Sequence, residues 1–208
     1  MQVGLTGGIA SGKTKFEEYF KSLGFQIYDT DKIESILRTG DTSNFENNVS
    51  DNNPLCILIS QLSSRAKLSL GQALPGLYDR NGCFSRDALL SYLNNNIYGF
   101  QNHAKYNQII NPLCTEFYYA WINTIKSDSL FSSAMIVERN NLHLVEKLYI
   151  IGVSMEEQLE LLIKRENERG KQISKDDALK AILRQYTTQK KYNFAVRQLG
   201  KDNVILMD

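Results

Sequence analysis

Apolar positions fall along the chain in two rhythms: short runs bounded by turn residues, which mark buried strands, and i, i+3, i+4 repeats, which mark helices. Val3 and Leu5 open one short run that ends in Gly7 and Gly8, and Phe16, Phe20 and Leu23 then recur at helical spacing until Gly24 stops them. "FQIYDTD" (25–31) predicts a second strand whose carboxyl end carries Asp29 and Asp31. "SAMIVE" (133–138) and "LYIIGV" (148–153) predict two further buried strands, the first closed by Glu138, and "NVILMD" (203–208) a last short one.

Between these runs the helical period returns. "CILISQL" (56–62) fits strand or helix by pattern, and the lack of turn signals after it favours helix. "YDRNG" (78–82) predicts a turn, after which Ser85 caps a helix through Leu93. Asn111 and Pro112 suit the cap and first position of a new helix, with Leu113, Phe117, Trp121 and Ile125 as its apolar stripe. Ser154 and Glu157 form a capping box for a helix through Leu159, Leu162 and Ile163. "ENERGKQIS" (166–174) reads as a polar linker, and a further capped helix starts near Lys175. The stretch 39–53, rich in Asn, Asp, Ser and Thr, predicts a surface loop or disordered insert. Strands alternating with helices predict an α/β fold, a parallel sheet covered on both faces.

Composition narrows the function classes. A chain of 208 residues with 42% apolar and 23% charged residues can bury a real core as one domain with a small lid. A formal net charge of +1 gives no support for a nucleic-acid surface or a polybasic membrane patch. Cys56, Cys83 and Cys114 show no metal-finger spacing and read as free thiols of a reducing compartment. His103 and His143 are isolated and read as structural. The opening residues do not resemble a signal peptide, and no run approaches the 18 or so apolar residues of a membrane span. The expectation is a soluble, cytoplasmic protein with no nucleic-acid or membrane partner.

The candidate chemistry lies in the first turn. Gly7-Gly8-Ile9-Ala10-Ser11-Gly12-Lys13-Thr14 satisfies G-x-x-x-x-G-K-[ST] in full. Glycines allow left-handed backbone angles that bring successive N–H groups onto phosphate oxygens, and the helix that follows adds its positive end. Lys13 is placed to reach the β- and γ-phosphates of a bound nucleotide, and the Thr14 hydroxyl to ligate Mg²⁺.

From here the chain resembles the dephospho-CoA kinase family. "GLTGGIASGKT" (4–14) is close to the family's own P-loop, and "DTD" (29–31) falls where the family has D-x-D. "DRNGCFSRDAL" (79–89) is similar to its turn and helix, "NPLC" (111–114) stands where it has His-Pro-Leu-Ile, and "VSMEEQLELLIKRE" (153–166) matches its strand–cap–helix run. The resemblance implies a P-loop NTPase-type fold: a three-layer parallel sheet in a single kinase domain over 1–208. A helical acceptor-binding region would span about 32–128, and a lid about 164–174. It implies ATP held by Gly8, Ile9, Ala10, Ser11, Gly12, Lys13, Thr14 and Arg165, and Asp31 as catalytic base. It also implies transfer to the 3′-hydroxyl of dephospho-CoA. Arg169, four residues after Arg165, would share its helix face, and Glu138 matches a family acid that either positions a Mg²⁺-bound water or closes its strand.

Three departures lie toward the acceptor: Asn111 replaces the family's His, Leu90 stands where it has an Arg, and its Asp-x-Pro has no equivalent near "SSAMIVERNN" (132–141). Two alternatives therefore stand beside the first reading: a P-loop kinase of another small acceptor such as a nucleoside monophosphate, and a nucleotide-binding protein without transferase activity. Oligomeric state is not legible.

Overall fold

The structure is a computed structural model that describes residues 1–43, 53–95, 98–170 and 172–207. Most of the stretch read as an insert, and Lys171, lie outside the described residues. In chain order the first elements are β1 (Gln2–Gly7), α1 (Lys13–Ser22), β2 (Gln26–Asp29), α2 (Thr30–Thr39), α3 (Pro54–Ala73), α4 (Arg86–Asn94) and α5 (Gly99–Ile122). Then follow β3 (Ser129–Ser132), β4 (Lys147–Ile151), α6 (Met155–Glu168), α7 (Lys175–Leu183), α8 (Thr188–Leu199) and β5 (Val204–Met207). They form two compact units, one of residues Met1–Asp29 and Lys126–Asp208, the other of Thr30–Ile125.

The first unit is a five-stranded, all-parallel sheet in the order β2-β3-β1-β4-β5. The strand nearest the start of the chain is thus central, with Val3 and Leu5 fully buried and in register with Leu130 and Ser132 of β3. Gly4 has no room for a side chain, since a Cβ there would lie 2.7 Å from Leu148 Cδ1. Phe20 of α1 closes this core edge-on against Phe25 and Tyr149 at ring separations of 5.1 and 5.4 Å. Each such buried side chain contributes about 1.5–3 kcal/mol.

The second unit is helical. Ile59, Leu62, Ala66 and Leu70 of α3 and Tyr106, Ile110, Phe117 and Tyr118 of α5 are buried at helical spacing. A polar knot is buried among them: Arg38 Nη1 donates to the Tyr106 hydroxyl at 2.6 Å, and that hydroxyl donates to Glu34 Oε2 at 3.2 Å. Burial works against the Arg38 charge, yet the Tyr106 hydroxyl and the Glu34 and Asp31 carboxylates outweigh it and keep the guanidinium more basic than usual. The Tyr78 hydroxyl donates to the Arg38 carbonyl, and burial pushes its pKa up to about 12.

Four expectations are corrected. The third strand is Ser129–Ser132, not 133–138, which forms a succession of turns. Ile136 and Val137 are buried there without a ladder, so burial of an apolar run was mistaken for extension. Asn111 and Pro112 do not start a helix but sit inside the 24-residue α5. Burial of Tyr106, Ile110, Leu113, Phe117 and Trp121 carries one stripe across the proline, and tertiary packing overrides the local stop. Asp31 is not on a strand: β2 ends at Asp29 and α2 begins at Thr30, so strand alternation does not relate the two acids. The linker read from Glu166 begins later, because α6 runs to Glu168 and Gly170 takes the left-handed φ of 71°. The structure also adds α8, which the chain's pattern did not announce; Thr187 caps it, its Oγ1 accepting from the Lys190 N–H.

Candidate active site

β1 feeds directly into the glycine-rich turn, and its backbone has the shape that anion binding requires. Ala10 and Gly12 both have positive φ, 62° and 83°, and the chain enters α1 straight after Gly12. Alternation of left- and right-handed residues turns successive N–H groups toward one concavity. Ser11 N–H closes the loop on Gly8 O at 3.1 Å. The Ser11 side chain folds back over Gly7, where a Cβ would lie 2.3 Å from its hydroxyl oxygen, so Gly7 is required by packing. Lys13 and Thr14 form the first turn of α1, Lys13 half-buried and Thr14 exposed.

Two glutamines clamp the loop at Ile9. Gln185 Oε1 accepts the Ile9 N–H at 2.7 Å, and Gln158 Nε2 donates to Ile9 O at 2.7 Å. The loop and its clamps share an apolar floor, where Ile9 and Ala10 pack on Leu162, Ala178 and Ile182 of α6 and α7. Gly8 must be glycine for the clamp to seat, because a Cβ would lie 1.9 Å from Gln158 Nε2. Neither glutamine was singled out by sequence; the one signal was a polar Gln158 on the buried stripe it shares with Leu162.

Glu138, read as the end of a strand, lies in the turns after β3 and pairs with Lys191 of α8. The Lys191 ammonium, 1% exposed, lies 2.9 Å from Glu138 Oε1 and also donates to the Ala134 carbonyl. Glu138 Oε1 further accepts the Tyr186 N–H at 2.8 Å, and the Thr6 hydroxyl donates to Ala134 O. Burial pushes the Lys191 pKa down; Glu138 opposes that, and the Lys13 charge adds to it. The buried pair thus lies within electrostatic reach of the P-loop lysine. At the end of β3 the buried Ser132 hydroxyl donates to Glu17 Oε1 of α1.

Arg165 lies seven residues after Gln158 on α6, and so on the same helix face as the clamp. Its Nε and Nη2 both donate to Glu166 Oε1, at 3.2 and 3.0 Å. Arg169, the C-cap, approaches the same oxygen at 3.5 Å, and Glu166 itself is buried. Asp31 belongs to the other unit, exposed in the first turn of α2. Asn111 keeps its Oδ1 buried with no hydrogen-bond partner among the described residues, and Leu90 is exposed. Among the described residues there is no cluster of three or more metal-ligating side chains and no helix long and apolar enough to cross a membrane. Cys56, Cys83 and Cys114 form no disulfide among the described residues.

Comparison with known proteins bears on this geometry. The family model of dephospho-CoA kinase (CoaE) matches residues 1–206. The dephospho-CoA kinase of Fusobacterium nucleatum is 27% identical over 196 residues, covering 92% of this chain and 84% of its own. That of Colwellia psychrerythraea is 26% identical over 188 residues, covering 90% and 78%. Among solved structures, TT1252 from Thermus thermophilus superposes with a TM-score of 0.66 at 14% identity, over 100% of this chain and 88% of that one, a likeness of fold. The parallel sheet, the P-loop at the end of its central strand and a family match along nearly the whole length agree: the chain belongs to the dephospho-CoA kinase family.

Proposed function

We propose that this protein transfers the γ-phosphoryl group of ATP to the 3′-hydroxyl of dephospho-CoA, giving coenzyme A and ADP. The observation that carries the reading is the P-loop itself, with Ala10 and Gly12 left-handed and Ile9 clamped at both its N–H and its carbonyl. A phosphate-binding loop held this rigidly presents its amides without reorganisation when charge develops. The family supplies the acceptor.

In the proposed mechanism the 3′-hydroxyl oxygen attacks the γ-phosphorus, the bond to the β,γ-bridging oxygen breaks, and ADP leaves. Asp31 orients the hydroxyl and takes its proton, as a carboxylate suits that step. The amides of residues 8–14 and the Lys13 ammonium hold the phosphates. Arg165 shares the α6 face that contacts the loop; on exchanging Glu166 for phosphate oxygens it neutralises charge on the transferred group. Residues 164–174 would close as a lid around that step and exclude water, and residues 32–128 would carry the acceptor. A cytoplasmic setting suits cysteines that form no disulfide among the described residues.

The residues fit Mg²⁺. Thr14 offers an exposed hydroxyl at the exit of the loop, and the ion asks for hard oxygen donors with one or two carboxylates beside the phosphates. Once bound beside Thr14, the ion would neutralise charge on the phosphates.

The test is ATP consumption with dephospho-CoA, beside a panel of nucleoside monophosphates and a no-acceptor control. Turnover on dephospho-CoA is expected, with Asp31→Asn lowering kcat about 10²–10⁴-fold at unchanged ATP affinity. Turnover on a monophosphate alone, or an Asp31→Asn enzyme as fast as the parent, would overturn the assignment.

A further inference from the structure

P-loop enzymes commonly hold the nucleotide's Mg²⁺ between the P-loop hydroxyl and a Walker-B aspartate, and ligands of open α/β sheets collect at the carboxyl ends of strands. β3, one of the two strands that flank β1, ends here in Ser132, and Ser133 follows it. From Ser129 to Val137 there is no carboxylate, and Glu138, the first one reached, is engaged by Lys191 and the Tyr186 N–H. The strand therefore brings a hydroxyl where an acid is needed.

The acid arrives from the other side. Glu17 lies on α1 three residues after Thr14 and four after Lys13, one turn along the same face. Its Oε1 accepts the Ser132 hydroxyl, whose residue is only 1% exposed, while Oε2 accepts no hydrogen bond among the described residues. A half-buried carboxylate fixed through one oxygen and open at the other is built to face a cation rather than solvent. Lys13 and Thr14 share its face, so the cation concerned is the one that travels with the nucleotide.

We propose that Glu17 supplies, from the P-loop helix, the carboxylate that β3 lacks, and that with Thr14 it holds Mg²⁺·ATP while Ser132 fixes its orientation. The proposal rests on the ATP reading above. The two positions are complementary: an aspartate at 132 would set two carboxylates against each other, whereas serine donates to the one present.

The experiment measures ATP affinity by calorimetry, with Mg²⁺ and with EDTA, alongside the electron paramagnetic resonance of Mn²⁺ bound with ATP. The parent protein should bind ATP more tightly with metal. Glu17→Gln should lose about 10–100-fold of that enhancement, keep its affinity in EDTA, and alter the Mn²⁺ spectrum. Ser132→Asp alone should impair metal-dependent binding, and the double variant Glu17→Ala/Ser132→Asp, with the acid returned to the strand, should recover it. Thermal melts of each variant separate lost folding from lost metal. An unchanged enhancement in Glu17→Gln overturns the proposal, as does a loss that appears only in Asp29→Asn, the register partner of Ser132 on β2. A parent protein that binds no ATP under either condition overturns the kinase reading, and this one with it.

Discussion

The two units bury charge differently, and the contrast shows what each is built to do. In the helical unit Arg38, Glu34 and Tyr106 pair with one another on two neighbouring helices, and Asp31 of α2 adds to the Arg38 field. In the sheet unit Lys191 reaches from α8 to Glu138 and Ala134, in turns that follow a different strand, and its charge is felt with that of Lys13. The first knot ties helices to one another. The second ties α8 to the turns after β3, where the field of Lys13 also reaches Lys191. Buried ions seldom stabilise more than an apolar replacement would, but removing one partner leaves a stranded charge.

That difference can be broken experimentally. Lys191→Met leaves the Glu138 carboxylate buried without its counter-ion and should cost about 3–5 kcal/mol, read as a lower denaturant midpoint. If Glu138 and Lys191 were expendable to the sheet unit, the double variant Glu138→Gln/Lys191→Met would be no better than the single one; recovery of most of the loss is expected instead. In the helical unit the sharper probe is Pro112. Its ring forbids one α5 hydrogen bond at a cost of about 3 kcal/mol, and it also restrains the unfolded chain by up to about 1 kcal/mol. Pro112→Ala should therefore stabilise the protein by about 1–2 kcal/mol; a loss would mean that the proline itself is required. The smallest effect belongs to Gln185→Ala, which frees the Ile9 N–H at about 1 kcal/mol. Its expected signature is weaker ATP binding with little change in melting temperature, measured by titration and by circular dichroism.

Legibility in the sequence divides along the same line. The P-loop was readable because its chemistry is done by backbone and much of its geometry is encoded locally: Gly12 takes a positive φ and Gly7 makes room for the Ser11 side chain four residues on, whereas Gly8 answers the distant Gln158. The caps at Ser85, Ser154 and Ser174 are equally local, each accepting the N–H of the residue three positions on. Asn111 and Pro112 were misread because a local helix-start signal competed with a buried stripe that begins upstream at Tyr106. β3 was misplaced because Ser129 and Ser132 are buried on both faces and show no alternation, while the apolar run beside them forms turns. Gln158, Gln185, Glu17 and Lys191 were missed for a different reason. Each meets its partner across a long stretch of chain, and nothing near it in sequence announces the meeting.

The clamp on Ile9 has a consequence for how the protein comes into being. The loop is synthesised well before Gln158 and Gln185, whose side chains hold it in place. The strand that leads into it likewise waits for Ser129–Ser132 and Lys147–Ile151 to flank it. Contacts of such span close late and slowly. A nascent chain should thus carry a complete P-loop sequence long before it owns a nucleotide site, and ATP would meet a competent loop only once α7 has folded back against it.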